Sequence, residues 1–400
     1  MDVLINNSNN TILFHEINKP LKNLLNNPDY LPEHDSAKKL TFKYFVNLLL
    51  YFYFSGLDSL RSLITDLKTK DVSQIGLFLV GLSTIHDAFC RYQTSLFQHL
   101  YLALLKVVPV RIIEEFQELG PIVFVDGSIF PIAISAIWAE YKTHCNAVKL
   151  HLGFSLNDML TSCFLVTAAS YDERKALAQL IEIGVTYIAD RGYLSFELFK
   201  TINDKPAYFI IRVRKRLHYE IEQQLAVQLI DAVKAILFHV TDELVRFNSD
   251  SHGRTYRRIS FRTRQTLFIL VTNRLDLTTF EIIRLYAFRW QIELFFRYFK
   301  RTLKAIHLLN INENGVTIQF YMVLIAHLLA LRYKQQQLQL CLFKKTELAK
   351  LCSKNSFAST EDFIESLGKS IPINFKIKKQ EWNAIKNSLL KCVQLTFDFL

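Results

Sequence analysis

Tyr286-Ala-Phe-Arg289-Trp290-Gln-Ile-Glu293-Leu-Phe-Phe-Arg297-Tyr-Phe-Lys300 is the stretch from which the rest of the chain can be read. Leu285, Phe288, Ile292, Phe295, Phe296, Phe299 and Leu303 recur at steps of three and four, which predicts one helix with a broad apolar face. At about 100° per residue, Tyr286, Arg289, Glu293 and Lys300 fall within an arc of about 60° beside that face, and Arg297 and Lys304 adjoin it. Ion pairing from Arg289 to Glu293 to Arg297 accounts for part of this stripe, at about 0.2 to 0.5 kcal/mol per pair. It does not account for the tyrosine, or for a lysine seven residues past the glutamate. A carboxylate that holds a divalent metal among cations that grip phosphate uses them all.

Four hundred residues exceed one small core, and at about 100 to 200 residues per domain two or three units are expected. Half the residues are hydrophobic, enough for a large core. The net charge of +11 favours a polyanionic partner, since neutralising phosphates releases counterions. The six cysteines are scattered without a C-x-x-C pair, which argues against a zinc ribbon or a disulfide scaffold and for free thiols in a reducing cytosol. Residues 1–10 are polar and Asn-rich, unlike a signal peptide. Two apolar runs, 45–57 and 316–331, fall short of about 18 clean apolar residues, so both predict soluble helices and no membrane span.

Asn, Asp and Pro punctuation predicts a loosely ordered lead-in over residues 1–36, followed by helical periodicity to about residue 108. Beyond residue 120 the character changes to short strands. Ile122-Val-Phe-Val125 leads into Asp126-Gly127-Ser128, and Val185-Thr-Tyr-Ile-Ala189 into Asp190-Arg191-Gly192-Tyr193. An apolar run ending in an acid is the pattern of a buried strand that delivers a carboxylate to an edge. Taken singly, Asp126 also reads as a turn and Asp190 as a helix cap. Glu140, Asp158, Asp172 and Glu173 read as surface acids or caps. Strand-like runs at 147–154, 160–169 and 207–214 and helical stretches at 172–183 and 195–202 complete this part. Three more strand-like patches follow at 237–247, 255–263 and 266–273, and residues 315–334 read as a long helix.

Tyr, two residues, Arg, three residues, Glu, six residues, Lys: this spacing in Tyr286, Arg289, Glu293 and Lys300 resembles bacterial insertion-sequence transposases of the DDE class, in the branch with the Y-R-E-K signature. Asp126 and Asp190 supply the two earlier acids in order, and the resemblance covers about 120–330. It implies an α/β fold: a ribonuclease-H-like catalytic core over 120–334 with a β-rich insertion at about 215–278. A helical N-terminal domain over 1–110, possibly DNA-binding, would precede it, and a mainly helical C-terminal part over 335–400, of unknown role, would follow. The family's Gly before its Lys-Leu-His strand is missing, since Asn146-Ala-Val precedes Lys149, and Lys149 and His151 read as sheet residues.

The resemblance also implies site roles. Asp126, Asp190 and Glu293 would hold Mg²⁺, with Mn²⁺ as a substitute, for two-metal phosphoryl transfer. Tyr286, Arg289 and Lys300 would contact terminal phosphates, Arg as a planar fork and Lys as a point charge, with Arg297 beside them. Trp290 would stack on an unpaired base or simply pack. Arg254, Arg257 and Arg258 read as a DNA-backbone track or as an edge strand guarded by charge. The implied activity is cleavage of double-stranded DNA at transposon ends, through a hairpin intermediate, and joining of the 3′-hydroxyls to target DNA, by a homodimer in the bacterial cytoplasm. The alternatives are a nuclease of the same fold without strand transfer, and a transposase-derived DNA-binding protein without catalysis.

Overall fold

Helices α1 (Ser8–Leu25), α2 (Phe42–Phe54), α3 (Leu60–Thr69), α4 (Leu82–Arg91) and α5 (Thr94–Val107) precede the sheet in the computed structural model, which describes residues 8–107, 114–234, 236–264, 266–301 and 307–354. α1 replaces the loosely ordered lead-in expected there. Phe14, Ile17, Leu21 and Leu25 form its buried stripe, and the buried Asn18 amide donates to Asn47 Oδ1 at 2.7 Å. That asparagine pins two helices together instead of marking a turn. α2 is apolar on every side and is accordingly almost wholly buried.

The strands are β1 (Ile122–Ile132), β2 (Glu140–Lys142), β3 (Cys145–Ser155), β4 (Thr161–Ala168), β5 (Thr186–Ala189), β6 (Tyr208–Arg212), β7 (Tyr219–Gln224), β8 (Phe238–Phe247), β9 (Thr255–Arg262) and β10 (Leu267–Thr272). They form one sheet in the order β2-β3-β1-β5-β6-β10-β9-β8-β7, with β4 also paired to β3. β1, β3 and β4 are antiparallel, whereas β5 and β6 run parallel to β1. Parallel neighbours need crossovers, supplied by α6 (Glu173–Leu180) before β5 and α7 (Phe196–Asp204) before β6. The parallel strands are buried on both faces, which is why they read as unbroken apolar runs.

One face packs on α6 and α7, where Phe199 stacks on Phe209 at 4.3 Å between ring centres. The other meets α10 (Trp290–Arg301) and the start of α11 (Glu313–Lys354): Phe130 contacts Phe299 and Phe320, and Phe154 contacts Phe295. α8 (Asp231–Lys234) and α9 (Thr279–Ala287) complete the helices among the described residues. The described residues up to Leu328 make one compact unit, and the later part of α11 belongs to a second. Residues 313–333 are long and apolar enough to cross a membrane, but most of that stretch is buried, as in a core helix. Leu303, Lys304 and residues 355–400 lie outside the described residues, as do the side chains of Cys341, Cys352 and Cys392. Cys90, Cys145 and Cys163 are free thiols.

The strands beyond β6 continue the central sheet, since β10 pairs antiparallel with β6. β7, Tyr219-Glu-Ile-Glu-Gln-Gln, was invisible to a search for apolar alternation because it is a mostly exposed outer strand. β9 lies between β8 and β10 and is therefore not an edge. This corrects the reading of Arg257 and Arg258 as phosphate contacts. Both are buried, Arg257 against Asp242 (Nη2 to Oδ2, 2.6 Å) and Arg258 against Glu243 (2.9 Å) and over the Tyr219 ring. Their counter-charges sit on the neighbouring strand, with Glu243 directly opposite Arg258. Arg254 differs: it is partly exposed and pairs with Asp204 at 2.9 Å.

Removing one partner of a buried pair strands the other charge. Arg257→Ala should lower stability by about 3 to 5 kcal/mol in urea denaturation, and Arg254→Ala by less than about 1 kcal/mol. Equal, small losses would show that Arg257 is not part of the fold's framework.

Candidate active site

β1 and β5 are in register with Ile122 opposite Thr186 and Phe124 opposite Ile188. Carried two residues on, the same register sets Asp126 beside Asp190. β5 and β6 pair Ala189 with Ile211, so one step further sets Asp190 beside Arg212. Asp126, Asp190 and Arg212 thus form one row across three parallel strands, at the end where ligands of open α/β sheets bind. Asp190 begins a short 3₁₀ turn, Arg191–Tyr193, yet its side chain makes no capping bond. Its Oδ1 accepts from the Tyr286 hydroxyl at 3.4 Å. The cap reading of Asp190 is therefore not realised.

The stripe of the opening stretch is split between two helices. α9 ends at Ala287, α10 begins at Trp290, and the N–H groups of Arg289, Gln291 and Ile292 reach back only three residues, to Tyr286, Phe288 and Arg289. This tightened turn keeps the helical hand and nearly the helical period, so sequence periodicity passes over it. Tyr286 is buried at the end of α9, edge-on to Phe268. Arg289 lies at the junction, and its Nη2 meets Glu293 Oε1 at 2.7 Å.

Arg289 is the hub of the cluster. Burial works against its charge, but Tyr286, Asp190 and Glu293 outweigh that and hold its pKa above the ordinary value. Asp126 is pushed up to about 6, chiefly by burial; Glu173 and Glu293 raise it further, while its bond from the Gly127 N–H and the charge of Arg289 oppose the shift. Tyr286 is pushed up to about 12, again chiefly by burial. Arg212 lies over the Phe268 ring at 4.2 Å, and burial lowers its pKa.

Lys300 stands apart from the acids. Its Nζ donates to the Ile129 carbonyl at 2.9 Å and lies over the Phe130 ring, tying α10 to β1, and burial lowers its pKa. Trp290 is 46% exposed and Arg297 is exposed, so both face solvent. Lys149 and His151 lie on β3, where Lys149 pairs with Glu173 at 3.3 Å and His151 Nε2 meets Thr167 Oγ1 at 2.9 Å. Sequence reasoning set Glu173 aside, although its carboxylate lies against the glycines beside both acids, Gly127 and Gly192. Arg212 lies in the strand-like run 207–214, and counting strand positions from Asp190 would have placed it.

The family model of the transposase DDE domain matches residues 117–329. The chain belongs to the transposase DDE-domain family. Among its relatives, the putative transposase y4zB of Sinorhizobium fredii is 25% identical over 234 residues, 57% of this chain and 65% of that protein. The probable transposase for insertion sequence element IS5377 of Geobacillus stearothermophilus is 25% identical over 211 residues, 52% and 55% of the two chains. The chain therefore spans less than two thirds of the length of either. A solved piggyBac transposase synaptic complex with hairpin DNA aligns over 80% of this chain and 78% of that one at 8% identity, with a TM-score of 0.34, too loose for a comparison of sites.

The DDE domain so defined contains Asp126, Asp190, Glu293 and all the phosphate-binding candidates named above. Divalent-metal dependence goes with this family in general. Carboxylate oxygens are the donors a hard cation prefers, and the raised pKa of Asp126 marks a carboxylate whose charge its surroundings do not fully balance. In chemistry the residues fit. In spacing, no group of three His, Cys, Asp or Glu side chains among the described residues is close enough to hold a metal ion, and Glu293 is engaged by Arg289.

The Asp126 pKa also predicts a pH dependence. Its folded value, about 6, lies above the unfolded value of about 3.9, so ionisation destabilises the fold. The penalty is absent below about pH 4, grows as pH rises towards 6 and is complete above it. In metal-free buffer, Asp126→Asn should be more stable to unfolding than the parent at pH 8, by on the order of 1 to 3 kcal/mol, and equal to it at pH 4. A difference that does not change with pH would refute the shift.

Proposed function

We propose that this chain is a transposase of the Y-R-E-K branch, built on a ribonuclease-H-like core, that cleaves double-stranded DNA at the ends of an insertion sequence and joins the 3′-hydroxyl ends to target DNA. The observation that carries the proposal is the row of Asp126 and Asp190 on adjacent parallel strands, with Glu293 drawn towards it through Arg289. Family membership supports the reaction class. The order β4-β3-β1-β5-β6, three antiparallel strands and then two parallel to the first, supports the core.

Asp126, Asp190 and Glu293 would hold Mg²⁺, or Mn²⁺ in its place, which when bound activates the attacking oxygen and neutralises the leaving one. The remaining work falls to the protein's own groups. The Tyr286 hydroxyl, donating to Asp190, orients that carboxylate. Arg289 presents a planar fork that a phosphate can occupy in place of Glu293, so binding a DNA end would free that carboxylate. Lys300 holds only a neutral carbonyl, and a phosphate is the stronger partner for its charge. Trp290, exposed beside Arg289, offers a ring on which an unpaired base can stack, as at a hairpin end. Arg297 and Arg254 touch the DNA backbone. The protein acts in the bacterial cytoplasm, as a homodimer on DNA.

The test is cleavage and strand transfer on duplexes that carry the element's ends. Asp126→Asn, Asp190→Asn and Glu293→Gln should each lower cleavage more than about a hundredfold, about 2.7 kcal/mol of barrier at 1.36 per decade, while end binding persists. Arg289→Lys should also fail, since the charge remains and the fork is lost. Lys300→Ala should weaken end processing with little change in melting temperature. Cleavage without joining would favour a nuclease, and binding without cleavage a non-catalytic DNA-binding protein.

A further inference from the structure

Gly127 directly follows Asp126 and Gly192 stands two residues after Asp190, and both look like turn glycines. Neither has a positive φ, so backbone conformation does not demand glycine at either position. Space does. A Cβ on Gly127 would stand 2.9 Å from Glu173 Oε1, and one on Gly192 would stand 3.1 Å from Glu173 Oε2. One carboxylate thus reaches into the room left by both glycines, one oxygen towards β1 and the other towards the Asp190 loop, and at Gly127 the Lys149 stem adds to the crowding, with Cδ at 3.2 Å.

Glu173 is the first residue of α6, where an acid favours the helix dipole. Helix support does not explain its setting, because Asp172 already caps α6, accepting from the Arg174 N–H. Lys149, on β3, is 3.3 Å from Glu173 Oε1 and also donates to the Tyr171 carbonyl, which anchors the carboxylate from the sheet side. The buried Tyr193 hydroxyl feels the charges of both Glu173 and Asp126. A third carboxylate beside two others raises the energy of the cluster, and an apolar residue would fill the gap without that penalty.

We propose that Glu173 is a positioning residue: its carboxylate, anchored by Lys149 and wedged between Gly127 and Gly192, sets the separation of Asp126 on β1 from the Asp190 loop. The inference rests on the reading of those two aspartates as catalytic. It adds a fourth acid to the site, one that acts through the other two without touching DNA.

The experiment uses the full chain and a double-mutant cycle between Gly192 and Glu173, with Mn²⁺ affinity of the DNA-free protein measured beside cleavage. The contact at Gly192 is the far end of a flexible side chain, so Gly192→Ala displaces Glu173 with little effect on folding. Gly192→Ala and Glu173→Ala should each lower cleavage about tenfold and weaken Mn²⁺ binding, with melting temperature nearly unchanged for Gly192→Ala. The double variant should be no worse than Glu173→Ala alone, because both changes remove the same wedge. Glu173→Gln, which keeps the wedge, should stay within about threefold of the parent. Additive losses in the double variant, or full cleavage and unchanged Mn²⁺ binding in Gly192→Ala, would overturn the proposal even if Glu173→Ala failed to fold. Asp126→Asn is the control: if it still cleaves, the catalytic reading itself fails, whereas a dead Asp126→Asn beside fully active Glu173 and Gly192 variants refutes only the wedge.

Discussion

The parallel hydrogen bonding of β1 to β5 sets Asp126 and Asp190 in one row of the sheet. Strands in a sheet lie about 5 Å apart, so the register fixes the two backbone positions from which these side chains leave. The runs Ile122–Val125 and Thr186–Ala189 are buried and bonded, so that placement rests on the backbone. Three groups around the row answer its charge: Arg212 extends it on β6, Arg289 reaches it from the α9–α10 junction, and Tyr286 donates to Asp190. Weakening the pairing would undo the site before touching any residue that bears its chemistry.

Much of this was legible in the sequence because strand burial and acid placement are local. Val125 before Asp126 and Ala189 before Asp190 announce buried strand segments that lead into carboxylates, although β1 runs on past Asp126 to Ile132, and the Tyr-Arg-Glu-Lys spacing announces the helical region behind them. The break between α9 and α10 was not legible, since a three-residue hydrogen-bond step separates the two helices while leaving the apolar spacing almost intact. The same holds for Lys300: its place on the wheel is right for the stripe, but its ammonium is taken up by Ile129 and Phe130 on a strand that no helical wheel contains.

Other readings also turn on long-range partners. Arg257 and Arg258 look like a DNA track until Asp242 and Glu243, fifteen residues earlier, are found beside them on β8. α1 looked like a lead-in because Asn18 and Pro20 suggested turns, while its partner Asn47 lies in the next helix. Gly127 and Gly192 are read locally as turn makers, yet what crowds a side chain at both is Glu173 on α6, joined at Gly127 by Lys149. In each case the local pattern gives the residue type correctly, and the partner decides its role.

The pairing of β10 with β6 makes the strands after residue 215 part of the sheet's load-bearing plane. Excising them to obtain a smaller catalytic fragment would bare the backbone N–H and C=O groups of β6, an apolar strand with buried neighbours and only Tyr208 exposed. Such an edge is a template for pairing with another chain. The fragment would tend to aggregate through the strand that adjoins Asp190, so these later strands protect solubility as well as extending the surface.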